Sequence, residues 1–249
     1  MRNFYLGMIE TKSVGDVVQI SADERHHMQF VLRLRSKDQV NFLDGRGNCY
    51  RVELQDAGQQ LTGKILDRSY IAPKRPKITL FQGLPKSNKM EKIVRQTTEI
   101  GIDKIVPMIC QRSIPKYDHK SVVKKVNRWQ KISEQSAKQS RRHHFVTIEL
   151  PVSSLNCLIE GANFDLAILL YESELEQSIK SILKRNKSPQ TVSLFVGPEG
   201  GFTTKEVETA TTNGILTASL GPNILRTETA PIVAISLLAY ELRNKDGCE

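Results

Sequence analysis

Read for the spacing of its apolar residues, the chain has two characters. In the first seventy residues apolar and polar positions alternate in short runs, at Asp16-Val17-Val18-Gln19-Ile20, Gln39-Val40-Asn41-Phe42-Leu43 and Tyr50-Arg51-Val52-Glu53-Leu54. A period of two in runs this short predicts half-buried strands. Asp44-Gly45-Arg46-Gly47-Asn48 between the last two is glycine-rich, as a hairpin connection requires. One helical stretch interrupts them: Ser21 caps it, Glu24 completes a capping box, and Met28, Val31 and Leu32 are expected on one face. Together these elements predict a small β-barrel-like module. Ala72-Pro73-Lys74-Arg75-Pro76-Lys77 then sets two prolines among charges, which disfavours regular structure and places the boundary between residues 1–72 and 73–249.

Beyond it the period switches back and forth. Strands are expected at Ile78-Thr79-Leu80-Phe81, Ile105-Val106-Pro107-Met108, Phe145 to Ile148, Leu166 to Leu170, Val192 to Val196 and Ile215 to Leu220. Pro107 places its strand near an edge or an end. The unbroken apolar run Leu166-Ala167-Ile168-Leu169-Leu170 suits a strand covered on both faces. Helices are expected from Lys89 to Ile100, with Met90, Ile93, Val94 and Thr97 on one face, and from Ser121 to about Arg141. A third starts at a Thr203/Glu206 capping box. The last helix carries Pro231 in its first turn and is apolar nearly all round, so it is buried in its domain or against another subunit. Alternation of this kind predicts an α/β domain with a mostly parallel sheet and helices on both faces.

Composition changes this picture little. With 39% hydrophobic and 25% charged residues in 249, the chain can bury a core, which excludes a disordered protein. No apolar run reaches the roughly 20 residues of a membrane span. No signal sequence is read at the start, and Cys49, Cys110, Cys157 and Cys248 lie far apart, so a reducing cytoplasm without structural zinc is expected. The charge distribution changes more. Residues 1–72 hold 10 Lys+Arg against 9 Asp+Glu, residues 73–150 hold 18 against 6, and residues 151–249 hold 8 against 12. The middle third therefore carries the excess, a net +12, which points to a polyanionic partner, nucleic acid above all.

The candidate chemistry lies elsewhere. Val196-Gly197-Pro198-Glu199-Gly200-Gly201-Phe202 follows a strand and opens a helix, and Leu220-Gly221-Pro222-Asn223-Ile224-Leu225-Arg226 answers it. Such glycine loops let a backbone approach a ligand at the carboxyl ends of a sheet. Neither a phosphate loop, nor a dinucleotide fingerprint, nor a Gly-x-Ser-x-Gly elbow is present. The pairs His26-His27 and His143-His144 lack metal-ligand spacing, so no metal is expected.

These residues carry a resemblance. Gly-Pro-Glu-Gly-Gly at 197–201, followed after one strand by Leu220-Gly221-x-x-Ile224-Leu225-Arg226-x-Glu228-Thr229-Ala230, resembles the SPOUT superfamily of knotted RNA methyltransferases, and most the branch that methylates N3 of a uridine in 16S ribosomal RNA. Lys89-Met90-Glu91, Thr98-Glu99-Ile100-Gly101 and Gln139-Ser140-x-Arg142 are similar to further stretches of that family. His27 with Val31-Leu32-Arg33, and Asp44-Gly45, resemble its PUA-like N-terminal domain. Two positions depart from it: Arg141 and Lys37 stand where the family has glycine. The resemblance implies a deep trefoil knot and S-adenosylmethionine held by three loops, at Leu170-Tyr171-Glu172, at 197–201 and at Leu220, Gly221, Ile224 and Leu225. It further implies a homodimer, with 16S ribosomal RNA or an assembled small subunit as partner. N3 of uracil is weakly acidic, so the site needs a base or a cation to stabilise the anion. Arg226 and Arg142 are candidates for the cation or a phosphate anchor, and Glu199 and Glu228 for the base or for orienting an arginine. Arg33, Arg35, Lys86, Lys89, Arg95, Arg141 and Arg142 are expected to contact RNA. A ribose 2′-O or tRNA methylase of the same superfamily, and a non-catalytic RNA-binding or assembly factor, are the alternatives.

Overall fold

In the computed structural model, which describes residues 3–6, 12–57, 60–114, 119–160 and 163–243, the chain divides into two units. The first comprises residues 1–73 with 137–145, the second residues 74–136 with 146–249.

The first unit is built on β1 (Asn3–Tyr5), β2 (Val17–Gln19), α1 (Ala22–His26), β3 (Gln39–Leu43), β4 (Asn48–Ala57) and β5 (Gln60–Tyr70). Its strands form a five-stranded sheet of order β1-β3-β4-β5-β2, antiparallel except for the β1–β3 pair. The alternating residues Val40, Phe42, Tyr50, Val52 and Leu54 point into one core with Phe4 and Met28. At the helix, Ser21 Oγ accepts the Glu24 N–H at 3.3 Å, the expected cap. The shared apolar face is realised in part: Leu32 packs on the same core as Met28, whereas Val31 does not. A π-helical turn runs from His27 to Val31, its wider winding carries Val31 outward to 62% exposure, and Met28 alone is buried. β1 and β5 have no counterpart among the expected strands.

The second unit contains β6 (Lys77–Gly83), α2 (Lys89–Ile100), β7 (Lys104–Ile109), most of α3 (His119–Gln139), β8 (Thr147–Ile148), β9 (Val152–Ser153), α4 (Ser154–Glu160), β10 (Leu166–Leu170), α5 (Ile179–Arg185), β11 (Thr191–Val196), α6 (Thr204–Thr212), β12 (Leu216–Ala218) and α7 (Ala230–Arg243). Its seven-stranded sheet is parallel throughout, in the order β12-β10-β11-β6-β7-β8, with β9 also on β7. All five residues of β10 are buried, as the unbroken apolar run requires. Each Leu or Ile among them contributes about 1.5–3 kcal/mol of burial. Pro107 lies where the edge ladder is interrupted, between the β8 pairs at Lys104 and Ile105 and the β9 pairs at Met108 and Ile109. Its missing N–H therefore costs the sheet little.

Two apolar cores cover the sheet. One includes Ile93 and Val94 of α2, Trp129 of α3 and Ile235 and Leu238 of α7. The other includes Phe81, Phe195 and Phe202, with the Phe81 and Phe195 rings stacked at 4.5 Å. α7 buries Ala230, Ala234, Ile235, Leu238 and Leu242 and leaves Leu237 and Tyr240 exposed. Its end is fixed by Arg243, whose guanidinium donates to Pro76 O, to Gly101 O at 2.6 Å and to Asp103 Oδ2 at 2.6 Å. No helix among the described residues is long and apolar enough to cross a membrane.

Candidate functional site

The parallel sheet delivers β10, β11 and β12 to one edge at their carboxyl ends, and a loop follows each. After β11 the chain turns at once, with Gly201 N–H donating to Pro198 O at 2.9 Å and Gly201 itself at φ +66°. Arg112 holds the outside of this turn by donating to Gly200 O at 2.9 Å and Phe202 O at 3.3 Å. The α6 capping box fixes its far end, and Glu206 reaches further than expected. Besides the Thr203 N–H it accepts from Ser154 Oγ at 2.5 Å and from the Gln111 N–H at 3.1 Å. Burial works to raise the Glu206 pKa, but these hydrogen bonds outweigh it and hold the carboxyl below the usual range.

From beneath, the turn rests on β6. A Cβ on Gly83 would lie 2.6 Å from both Pro198 Cδ and Pro198 N, so only glycine admits this approach. Gln82, fully buried beside it, donates through Nε2 to Gly83 O at 3.0 Å and to Thr227 Oγ1 at 3.1 Å. Thr227 Oγ1 in turn donates to Gly197 O at 2.7 Å. The two glycine loops are thus tied together by one amide and one hydroxyl.

Between the loops lies a pocket of about 670 Å³, within the roughly 300–1,000 Å³ of small-molecule sites. Every residue of the three expected cofactor segments lines it: Leu170, Tyr171 and Glu172, residues 197–201, and Leu220, Gly221, Ile224 and Leu225. Ile224 is 84% exposed, whereas Leu220 and Leu225 also pack on the first core, so those two leucines serve both site and core.

Lys89 is in the same pocket, which its expected contact with RNA did not anticipate. Its Nζ lies 2.9 Å from Glu199 Oε1 and 3.2 Å from Glu228 Oε2. Glu199 also accepts the Lys86 N–H through both oxygens, at 3.1 and 3.3 Å. Burial pushes the Glu199 pKa up, but Lys89 and the backbone N–H groups bring it below the usual range. Glu228 is likewise held low, against its burial, by its own N–H, by Lys89 and by the charge of Arg226. The Lys89 ammonium is held above its ordinary value, first by its hydrogen bond to Glu199. All three are charged at neutral pH.

Arg226 lines the pocket and is exposed. Lys86 and Arg95 belong to the second unit, with Arg95 exposed on α2. Arg33, Arg35, Arg141 and Arg142 belong to the first unit, where the Arg142 carbonyl accepts the Tyr5 hydroxyl at 2.9 Å. Arg142 does not line the pocket of the second unit. Reading by sequence missed Gln82, Thr227 and the bridging role of Lys89. A polar residue ending an otherwise apolar strand was the available signal for Gln82. Among the described residues no cluster of His, Cys, Asp and Glu fit for a metal occurs.

A parallel sheet with a glycine-walled pocket at its carboxyl edge, lined by apolar side chains and a few fixed charges, defines an α/β protein built to hold a small organic ligand. The comparisons with known proteins narrow the class. The chain belongs to the RNA methyltransferase family, whose RNA methyltransferase domain matches residues 73–239 and whose RNA methyltransferase PUA domain matches residues 20–66. It is 32% identical over 229 residues to the Ribosomal RNA small subunit methyltransferase E of Bacillus subtilis, covering 89% of each chain. The protein of that name from Synechocystis is also 32% identical, over 88% of this chain and 71% of its own. Among solved structures, Ribosomal RNA small subunit methyltransferase E from Neisseria gonorrhoeae, bound to S-adenosyl methionine, superimposes with a TM-score of 0.83 at 26% identity, over 98% of this chain and 99% of that one. A putative methyltransferase from Legionella pneumophila, in complex with the same cofactor, gives 0.80 at 27% identity, over 96% and 98%.

Proposed function

We propose that this protein uses S-adenosylmethionine to methylate N3 of a uridine in the 16S RNA of the small ribosomal subunit. The carrying observation is the pocket, in which all three loop segments marked out by the family resemblance converge. Relatives of about 30% identity over most of the chain bear a small-subunit ribosomal RNA methyltransferase name, and similar structures hold this cofactor. The pocket fits the group in volume, and its glycine walls leave backbone within reach of an adenine edge. Residues 197–201 and 220–225 would hold it, and it supplies an electrophilic methyl carbon.

What remains for the protein is to align the base and stabilise its N3 anion. Arg226, exposed at the pocket, is the cation for that anion. Glu199 and Glu228, held below the usual carboxylate range, are weak acceptors for a proton from so weak an acid. They serve instead to fix Lys89 and the loop. Arg33, Arg35, Lys86, Arg95, Arg141 and Arg142 contact the RNA, and residues 1–72 act as an RNA-binding module in a cytoplasmic enzyme. Leu237 and Tyr240, exposed on α7, meet a second copy to form a homodimer. The knot belongs to the same proposal: after edge strand β12 the chain crosses back to pack α7 on α2 and β11.

Nucleoside analysis of 16S RNA after reaction with labelled cofactor tests the reading. N3-methyluridine is expected. A 2′-O-methyl product would move the enzyme to another reaction, and failure to bind the cofactor in calorimetry would leave only a non-catalytic RNA-binding role.

A further inference from the structure

The first unit has a cavity of its own, about 290 Å³, at the end of α3. Its walls include Asn3, Phe4, His27, Lys138, Gln139 and Arg141. The volume is at the lower end of small-ligand sites, enough for one nucleotide and too little for a duplex. Its chemistry is that of single-stranded RNA recognition, with aromatic faces, amides and cations together. The exposed His27 ring packs edge-on against the buried Phe4 ring at 6.4 Å and so presents a held surface for stacking. Asn3 and Gln139 bring amide donors and acceptors suited to a base edge.

Arg141 is the unusual member. α3 ends in a Schellman motif, with Arg142 N–H donating to Ala137 O at 2.9 Å and Arg141 N–H to Lys138 O at 3.2 Å. Arg141 occupies the left-handed position of this motif at φ +56°, where glycine is at ease and an arginine is strained. A helix carboxyl end also repels anions, so an anion site here needs added positive charge. Lys138 is partly committed, 3.6 Å from Glu24 and 5.5 Å above the Tyr5 ring. The left-handed backbone of Arg141 serves the helix end, while its side chain is held by no hydrogen bond or ion pair among the described residues and leaves its cation available at the cavity.

We propose that this cavity is a subsite for one unpaired nucleotide of the RNA, its base against His27 and its phosphate held by Arg141. The proposal rests on the reading that the protein acts on RNA. The test uses the full chain and transcribed 16S RNA in filter binding over about 50–200 mM salt, with melting temperatures in parallel. For Arg141→Gly, affinity is expected to fall roughly tenfold and the log–log salt slope to flatten by about one contact. Its melting temperature should rise by about 2–4 °C as the strain is relieved. Arg141→Lys, which keeps the charge, should keep the wild-type slope. Wild-type affinity and slope in Arg141→Gly would overturn the subsite, as would a slope in Arg141→Lys as shallow as that of Arg141→Gly. A wild-type protein that does not bind RNA at low salt would instead bring down the reading beneath it.

Discussion

Replacing Lys89 by methionine removes one ammonium from between two carboxylates while keeping the length of the side chain. The two contacts, at 2.9 and 3.2 Å, join side chains that are 32% exposed at Lys89, 28% at Glu199 and 10% at Glu228. A hydrogen bond to a charged group contributes about 1.5–3 kcal/mol when shielded. Water reaches Lys89 and Glu199, which lowers that value. About 2 kcal/mol for the pair of contacts is a reasonable sum. For a chain of this size that corresponds to a fall in melting temperature of roughly 4–8 °C. The pH dependence has a definite sign. Both glutamates are held below 4.5 and Lys89 above 10.5. The contribution is therefore fully present between those values and is lost as pH falls through the folded carboxylate range, below 4.5. Thermal melts of wild type and Lys89→Met should differ by a constant gap from about pH 5 to 9, closing in more acid solution. Equal melting temperatures at neutral pH, or a gap undiminished well below pH 4.5, would refute the bridge.

Two further substitutions probe what positions the site. Gly83→Ala sets a methyl group against the Pro198 backbone, which must give way; a loss of about 1–3 kcal/mol and a fall in turnover on the order of 10²-fold are expected. Calorimetric cofactor affinity and initial rates at the wild-type level would show that the loop need not rest there. Arg243→Ala leaves Asp103 and two carbonyls without their cation, at a cost of about 2–4 kcal/mol. It should appear as a lower urea midpoint at unchanged slope.

Much of the second unit was legible because its signals are local. The buried run of β10, the Thr203/Glu206 box and the position of Pro107 each follow from residue type and spacing. What escaped depends on contacts between distant segments. β1 is three residues long, and only its parallel pairing with β3 makes it a strand. Val31 was placed inward on an α-helical period, and a π turn altered the winding. Gln82 joins segments 115 and 145 residues away, which no window on the sequence can reveal. The two glycine loops of the pocket, by contrast, were found by motif, since their turns place glycine at positive φ, at Gly201 and Gly221, whereas the loop at Leu170-Tyr171-Glu172 came only with the family resemblance.

The charge of the first unit likewise depends on a segment distant in sequence. Residues 1–72 carry 10 Lys+Arg against 9 Asp+Glu, a balance that gives RNA little hold. The fold adds residues 137–145 to this unit, and with them Lys138, Arg141 and Arg142 without any acidic residue. The net charge becomes +4, thirteen cations against nine anions. Of four non-glycine residues at positive φ among those described, Arg33, Lys37 and Arg141 are basic, exposed and in this unit. At two of them, Lys37 and Arg141, the family resemblance implies glycine. A chance surface substitution at a left-handed position is selected against by roughly 1 kcal/mol, and polar residues better suited to that backbone, asparagine above all, were open to it. Basic residues at three such positions set positive charge on exposed, conformationally fixed backbone of this unit, an arrangement that suits the phosphate contacts proposed for it.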